Sequence, residues 1–263
     1  MRTDLCDEFG IEYPIFAFTP SEHVAAAVSR AGGLGVLGCV RFNDAEELEK
    51  TLTWMDENTD GKPYGVDVVM PMKVPTEGSA VDLESMIPEG HRRFVDDTLR
   101  KLGVPPLAEG EGREGVLGWL HSVARSHVEV ALSHRPVLIA NALGSPPTDV
   151  IDQAHAAGVK VAALAGAAKH ALSHVRNGVD IIVAQGYEAG GHTGEVASMV
   201  LTPEIERRID EAVAARFADL VTRGTSPVVV LVSLPIIMAP FCSTSHLAAG
   251  TVIPAVSCTA SVA

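Results

Sequence analysis

The chain has 263 residues, 47% of them hydrophobic but only 5% aromatic, and a formal charge of −13. That length suits one large domain with a sizeable core, as α/β barrels have. The acidic balance argues against nucleic acid, because binding a phosphate backbone needs basic surface.

Along the chain, apolar runs recur at YPIFAF, GLGVLGCV, YGVDVVMP, PVLIANAL, VKVAALAG and VDIIVAQG. Between most of them lie stretches of helical periodicity: EHVAAAVSRAG, DAEELEKTLTWMDE, TDVIDQAHAAG and AKHALSHVRNG. Three of these end in Gly, the residue expected just past a helix. Thr148, after the Pro146-Pro147 turn, is the expected N-cap of its helix. Short buried strands alternating with helices imply a parallel sheet with right-handed crossovers. Six βα units in a row fit a (β/α)8 barrel of the TIM type better than a doubly wound sheet.

Between about residues 72 and 126 the pattern is interrupted by a charged segment rich in Pro and Gly, with helical pieces at HRRFVDDTLRKLG and GVLGWLHSVARSHVEVALSH, the second running on past it. It reads as an insertion after the third strand, either a lid or wall over the site or a solvated excursion. The tail, 224–263, contains no Asp, Glu, Lys or Arg. Surface helices carry charge, so the last two βα units are expected to be atypical or incomplete. PVVVLVS is the candidate seventh strand. The remainder reads as a buried or partner-covered segment or, preferably, as a chain end departing from the ancestral one.

Cys6, Cys39, Cys242 and Cys258 show no CxxC spacing. The start, MRTDLCDEFG, has no apolar leader core, so reduced thiols in a cytoplasmic protein are expected. The run PVVVLVSLPIIMAPF is broken by Pro235 and Pro240 and falls short of the roughly 20 residues of a spanning helix.

GLGVLG, Gly33 to Gly38, is a literal G-x-G-x-x-G. A dinucleotide site needs the strand before the glycines and the helix after them. Here the helix comes first, so close packing explains the glycines better. His170 and His174 stand at i and i+4, but no third ligand accompanies them, and an exposed polar face is expected rather than a metal site. His23, His121, His127 and His134 show no constellation.

The stretch AQGYEAGGHTGE, Ala184 to Glu195, follows the sixth strand, at the sheet end where α/β proteins bind ligands. Gln185 offers a donor and an acceptor. Gly190 and Gly191 let bare backbone approach a ligand. His192 carries an imidazole whose ordinary pKa, about 6.5, suits proton abstraction. A plain glycine-rich turn with an exposed histidine is the competing reading.

AQGYEAGGHTG resembles the Q-G-x-E-A-G-G-H-x-G signature of the nitronate monooxygenases. YPIFAF…AAAVSRAGGLGVLG and YGVDVVMP are similar to that family's first three strands, and the likeness extends from about Tyr13 to about Ile205. The resemblance implies a single barrel domain over 1–263, holding FMN at its strand ends without metal. It also implies oxidation of alkyl nitronates by O2 to a carbonyl compound and nitrite. His192 would be the base for neutral nitroalkanes. Gln185, Gly190 and Gly191 would contact the flavin, Ala17, Phe18 and Thr19 would form the first-strand flavin loop, and Asp67 stands where many members carry Asn. There a carboxylate would repel an electron-rich flavin unless protonated.

The sequence departs from the family at AFT, where P-M-A is common, and in the tail. The phosphate-binding glycine turns expected at strands seven and eight are missing, with LAAGTVI at most an echo of one. Two alternatives stay open: a flavin enoyl reductase using NAD(P)H, and an inactive barrel remnant. A homodimer is compatible with the sequence, and no membrane partner is expected.

Overall fold

The computed structural model describes residues 2–70, 87–105, 120–190, 193–217, 229–234 and 252–256, with side chains through residue 212. Two compact units emerge, Met1–Met72 with Leu117–Ala263, and Lys73–Val116. The first unit opens with α1 (Asp4–Phe9) and continues through β1 (Phe16–Thr19), α2 (Glu22–Arg30), β2 (Leu34–Gly38), α3 (Ala45–Asn58) and β3 (Tyr64–Val68). In the second unit lies α4 (Glu89–Lys101), a helix with no buried residue that carries an Arg100–Asp97 ion pair at 2.7 Å.

The first unit resumes with α5 (His121–Ser133), which begins inside the segment marked as an insertion by sequence yet packs on α3. After it come β4 (Leu138–Asn141), α6 (Thr148–Ala156), β5 (Lys160–Ala165), α7 (Ala168–Asn177), β6 (Ile181–Gln185), α8 (Ser198–Phe217), β7 (Val229–Leu234) and β8 (Val252–Val256). All eight strands join in sequence order in one parallel sheet. The sheet curls until β8 lies near β1. This is the α/β architecture of a TIM-type barrel.

Alternation along the strands divides the core. Phe16, Leu34, Val36, Leu138, Ala140, Ala162, Ile181 and Val183 point inward and pack with Leu5, Cys6 and Phe9 of α1. Phe9 meets Phe16 edge-on, with ring centres 5.4 Å apart. The opposite strand faces, including Leu37, Val66, Val68, Ile139 and Val161, pack under Leu48, Leu52 and Met55 of α3, Val128 of α5 and Ile151 of α6. Leu201, Ile205 and Ile209 of α8 cover Ile182 and Ala184 of β6. Cys6 and Cys39 are free and buried, whereas Cys242 and Cys258 lie outside the described residues.

The ends of the helices follow from local chemistry. Asp44 Oδ1 accepts from the Glu47 N–H at 2.8 Å, capping α3. Gly158 and Gly178, after α6 and α7, take φ of +75° and +88°, as expected of helix-ending glycines. Thr148 corrects the sequence reading: it is the first residue of α6, and Pro147 is the N-cap. The backbone restraint of the Pro146-Pro147 turn replaces a side-chain cap there. β8 also went unrecognised in the sequence. Its Pro254 pairs with Val232 in the last strand of the ladder, where a missing donor is better tolerated than in a central strand.

Gly35 accounts for the decoy motif. A Cβ there would lie 2.0 Å from the Ala25 carbonyl oxygen, and the Gly35 N–H donates to Ser29 Oγ at 3.2 Å. Its glycine allows α2 to seat directly on β2. Gly35→Ala is therefore expected to destabilise the protein by about 1–3 kcal/mol or more through overpacking, read as a lowered urea midpoint. An unchanged midpoint would contradict this packing role.

Candidate active site

At the carboxyl ends of the strands, alternation sorts the residues singled out by sequence. Phe18 is half-buried and joins the inward-facing cluster. Ala17 and Thr19 point the other way and are buried. Thr19 Oγ1 accepts from the Ser21 N–H at 3.1 Å, shaping the turn into α2. Asp67 shares the inward face of β3 with Gly65, beside Gly38 of β2 and Ala140 of β4. Gln185 ends β6, its Nε2 donating to the Gly190 carbonyl at 3.4 Å. Gly191 and His192 lie outside the described residues.

The loop leaving β6 is held at both ends. The Tyr187 N–H donates to the Val196 carbonyl at 3.0 Å. Both carboxylate oxygens of Glu188 accept from the Ser198 N–H, at 2.9 and 3.1 Å. Ser198 opens α8, where a negative charge also meets the positive end of the helix dipole. A Cβ on Gly194 would come within 2.3 Å of the Gly166 carbonyl oxygen, so this loop lies backbone to backbone on the β5–α7 turn. Sequence reasoning assigned Glu188 no role. Its place as the glutamate of the AQGYEAGGHTG stretch was the available signal.

Asp67 is the anomaly of the mouth. As a residue it is half-buried, but its Oδ1 is enclosed and has no hydrogen-bond partner among the described residues. Burial pushes its pKa up to about 8. Beside it the Cys39 N–H donates to the Asp67 backbone carbonyl at 2.8 Å, and burial raises the Cys39 thiol far above its usual range.

A buried polar network ties the next loops together. Asn141, at the end of β4, accepts from the Met70 N–H at 2.9 Å and donates from Nδ2 to the carbonyls of Met70 and Gly144. Ser145 Oγ lies 2.6 Å from His174 Nδ1, and His174 Nε2 lies 3.0 Å from the Leu164 carbonyl. The carbonyl can only accept, so Nε2 carries the proton and Nδ1 accepts from the serine. Burial lowers the His174 pKa.

This overturns the expected exposed face for His174, although His170 is exposed. Ala168 and Ala171 mark the buried side of α7, and His174 follows at the same three-residue spacing. His134 likewise has partners: Nδ1 is 2.6 Å from Asp56 Oδ2 and Nε2 is 3.2 Å from Glu49 Oε2. Burial alone would lower its pKa, but the two carboxylates raise it. Among the described residues no group of His, Cys, Asp and Glu could hold a metal ion, and no helix is long and apolar enough to cross a membrane.

Ser145→Ala removes the donor to a buried imidazole nitrogen, an expected loss of about 1–3 kcal/mol. Chemical denaturation should show a lower midpoint with an unchanged slope. No loss would mean that water replaces the hydroxyl.

Comparison with known proteins places this geometry in context. A provisionally named monooxygenase of Mycobacterium tuberculosis is 50% identical over 212 residues, 78% of this chain and 56% of that protein. A provisionally named nitronate monooxygenase of Staphylococcus aureus is 26% identical over 244 residues, 88% of this chain and 64% of that protein. The chain thus spans less than two thirds of either relative's length. The fold matches a nitroalkane oxidase from Streptomyces ansochromogenes, with a TM-score of 0.61 and 21% identity, over 88% of this chain and 60% of that one. It also matches FabK from Thermotoga maritima, with a TM-score of 0.58 and 24% identity, over 89% and 54% respectively. The family model for nitronate monooxygenases covers residues 2–239, and the chain belongs to that family.

Proposed function

We propose that this barrel binds FMN at its carboxyl-terminal mouth and oxidises alkyl nitronates with O2 to a carbonyl compound and nitrite. Neutral nitroalkanes would enter the same route after His192 removes their α-proton. The observation that carries this reading is the loop after β6. Its Glu188 anchor and its backbone seat on Gly166 fix both flanks of the segment holding His192, at the sheet end where barrel enzymes act.

The described residues fit a flavin ring. Phe18 and Leu164 supply apolar surface, Gln185 supplies an amide, and Asp67 brings a half-buried carboxyl whose enclosed Oδ1 has no partner among the described residues. Gly190 and Gly191 would let the ring approach bare backbone, while Ala17 and Thr19 would support the first loop from behind. FMN would supply the electron acceptance and the reaction with O2. The chain's own part is to orient the nitro compound over the ring, exclude water and take one proton at His192. A carbon acid is acidified by its nitro group, and a neutral imidazole matches that task near neutral pH.

The Lys73–Val116 unit is proposed to be an insertion into the barrel. The buried free thiols of Cys6 and Cys39 are compatible with a cytoplasmic setting.

His192→Ala is expected to lower kcat/KM for a neutral nitroalkane by about 100-fold or more and to leave nitronate oxidation within a few-fold of the parent. Steady-state oxygen uptake with both forms of one substrate reads the split. Equal loss on both would remove His192 from the role of base. Rapid NAD(P)H oxidation without any nitronate would favour the enoyl-reductase alternative instead.

A further inference from the structure

We propose that Asp67 enters ligand binding as a neutral carboxylic acid, donating its proton as a hydrogen bond to an acceptor on the bound flavin ring, so that FMN capture is gated by a single proton. This rests on the flavin reading above and adds to it a donor that is lost on ionisation.

The geometry isolates this carboxyl. Asp67 points inward near the end of β3, between Gly38 and Ala140, neither of which offers it a polar side chain. The titratable neighbour just past β2 is Cys39, itself buried and neutral. Arg41, two residues on, is held by Glu22 at 2.6 Å and stacked 4.1 Å above the Phe42 ring. On the β4 side, Asn141 spends its amide on Met70 and Gly144. From the other strands Phe18, Leu164 and Gln185 bring no charge. Among the described residues no cation compensates the carboxylate, and burial is the cause of its upward shift to about 8.

A buried carboxyl in that state keeps its proton, and a protonated carboxyl is a hydrogen-bond donor. Oδ1 is enclosed and has no partner among the described residues, whereas Oδ2 is not enclosed in a residue that is half-buried, so a proton on the carboxyl can be presented to an acceptor edge such as the carbonyls and imine-type nitrogens of a flavin. Once ionised, the group accepts only, and it sets a negative charge against those same atoms.

The test is FMN binding, followed by quenching of flavin fluorescence from pH 7 to 9.5, for the full chain and for Asp67→Asn. The parent Kd should hold steady at the lower end and weaken about tenfold per pH unit above about 8, the slope of one linked proton. Asp67→Asn, which keeps a donor and cannot ionise, should stay tight and flat. Tight but pH-independent binding by the parent overturns the proton gate and leaves the flavin reading standing. If neither protein takes up FMN at any pH, the flavin reading itself is overturned. Infrared spectra of the ligand-free proteins give an independent readout. A carboxylic-acid C=O band present at pH 7, lost by pH 9.5 and missing from Asp67→Asn is expected; no such band overturns the proposal.

Discussion

Burial on both faces governs this molecule. Each strand of a parallel barrel packs inward against its neighbours across the interior and outward against helices. The middle of a strand therefore admits few polar side chains, and the polar groups gather at strand ends. Asp67, Asn141 and Gln185 all stand at or beside the carboxyl ends of their strands. Asp67 and Gln185 stand on the inward face, at the rim of an apolar interior built from Phe16, Leu34, Val36, Leu138 and Val183, whereas Asn141 alternates to the outward face with Ile139 and holds the neighbouring loops. A flavin ring needs such a place: flat apolar contact with a few fixed polar groups at its edges.

The rim divides into groups already satisfied and groups left waiting. Asn141 bonds Met70 and Gly144, while Ser145 bonds His174 and His174 bonds the Leu164 carbonyl, so the loops after β3 and β4 are tied down and α7 is tied to β5, which fits a scaffolding role. Glu188 does the same for the loop after β6. Asp67 alone among these keeps an enclosed oxygen without a partner. Buried polar atoms are nearly always bonded, so such an atom at the mouth of a barrel points to a missing ligand more than to a packing device. At the opposite end, Tyr64 donates to Asp56 at 2.8 Å while His134 lies between the carboxylates of Asp56 and Glu49, at the face usually given to stability.

Much of this was readable in advance because it depends on short-range pattern. Apolar runs alternating with helical periodicity mark β1 through β6, and the helix-before-strand order removed GLGVLG from consideration as a nucleotide site. What escaped depends on tertiary context. Pro254 and the uniformly uncharged tail hid β8, since periodicity needs contrast between faces. His174 looked like a surface residue beside His170, because only the docking of α7 shows which side of the helix is covered. Asp67 was visible as a departure from the family pattern, yet its isolation follows from the neighbours that β2 and β4 bring to it. Thr148 failed as a cap by one residue, within the usual uncertainty of helix ends.

The central claim is that electrons pass from a nitronate to a flavin held at this mouth. The most direct measurement is the visible spectrum of the purified protein with FMN, recorded without oxygen before and after adding an alkyl nitronate. The account predicts protein-bound flavin whose absorbance bleaches with the nitronate and returns when air is admitted. Bound flavin that stays oxidised, or a protein that takes up no FMN, would contradict it.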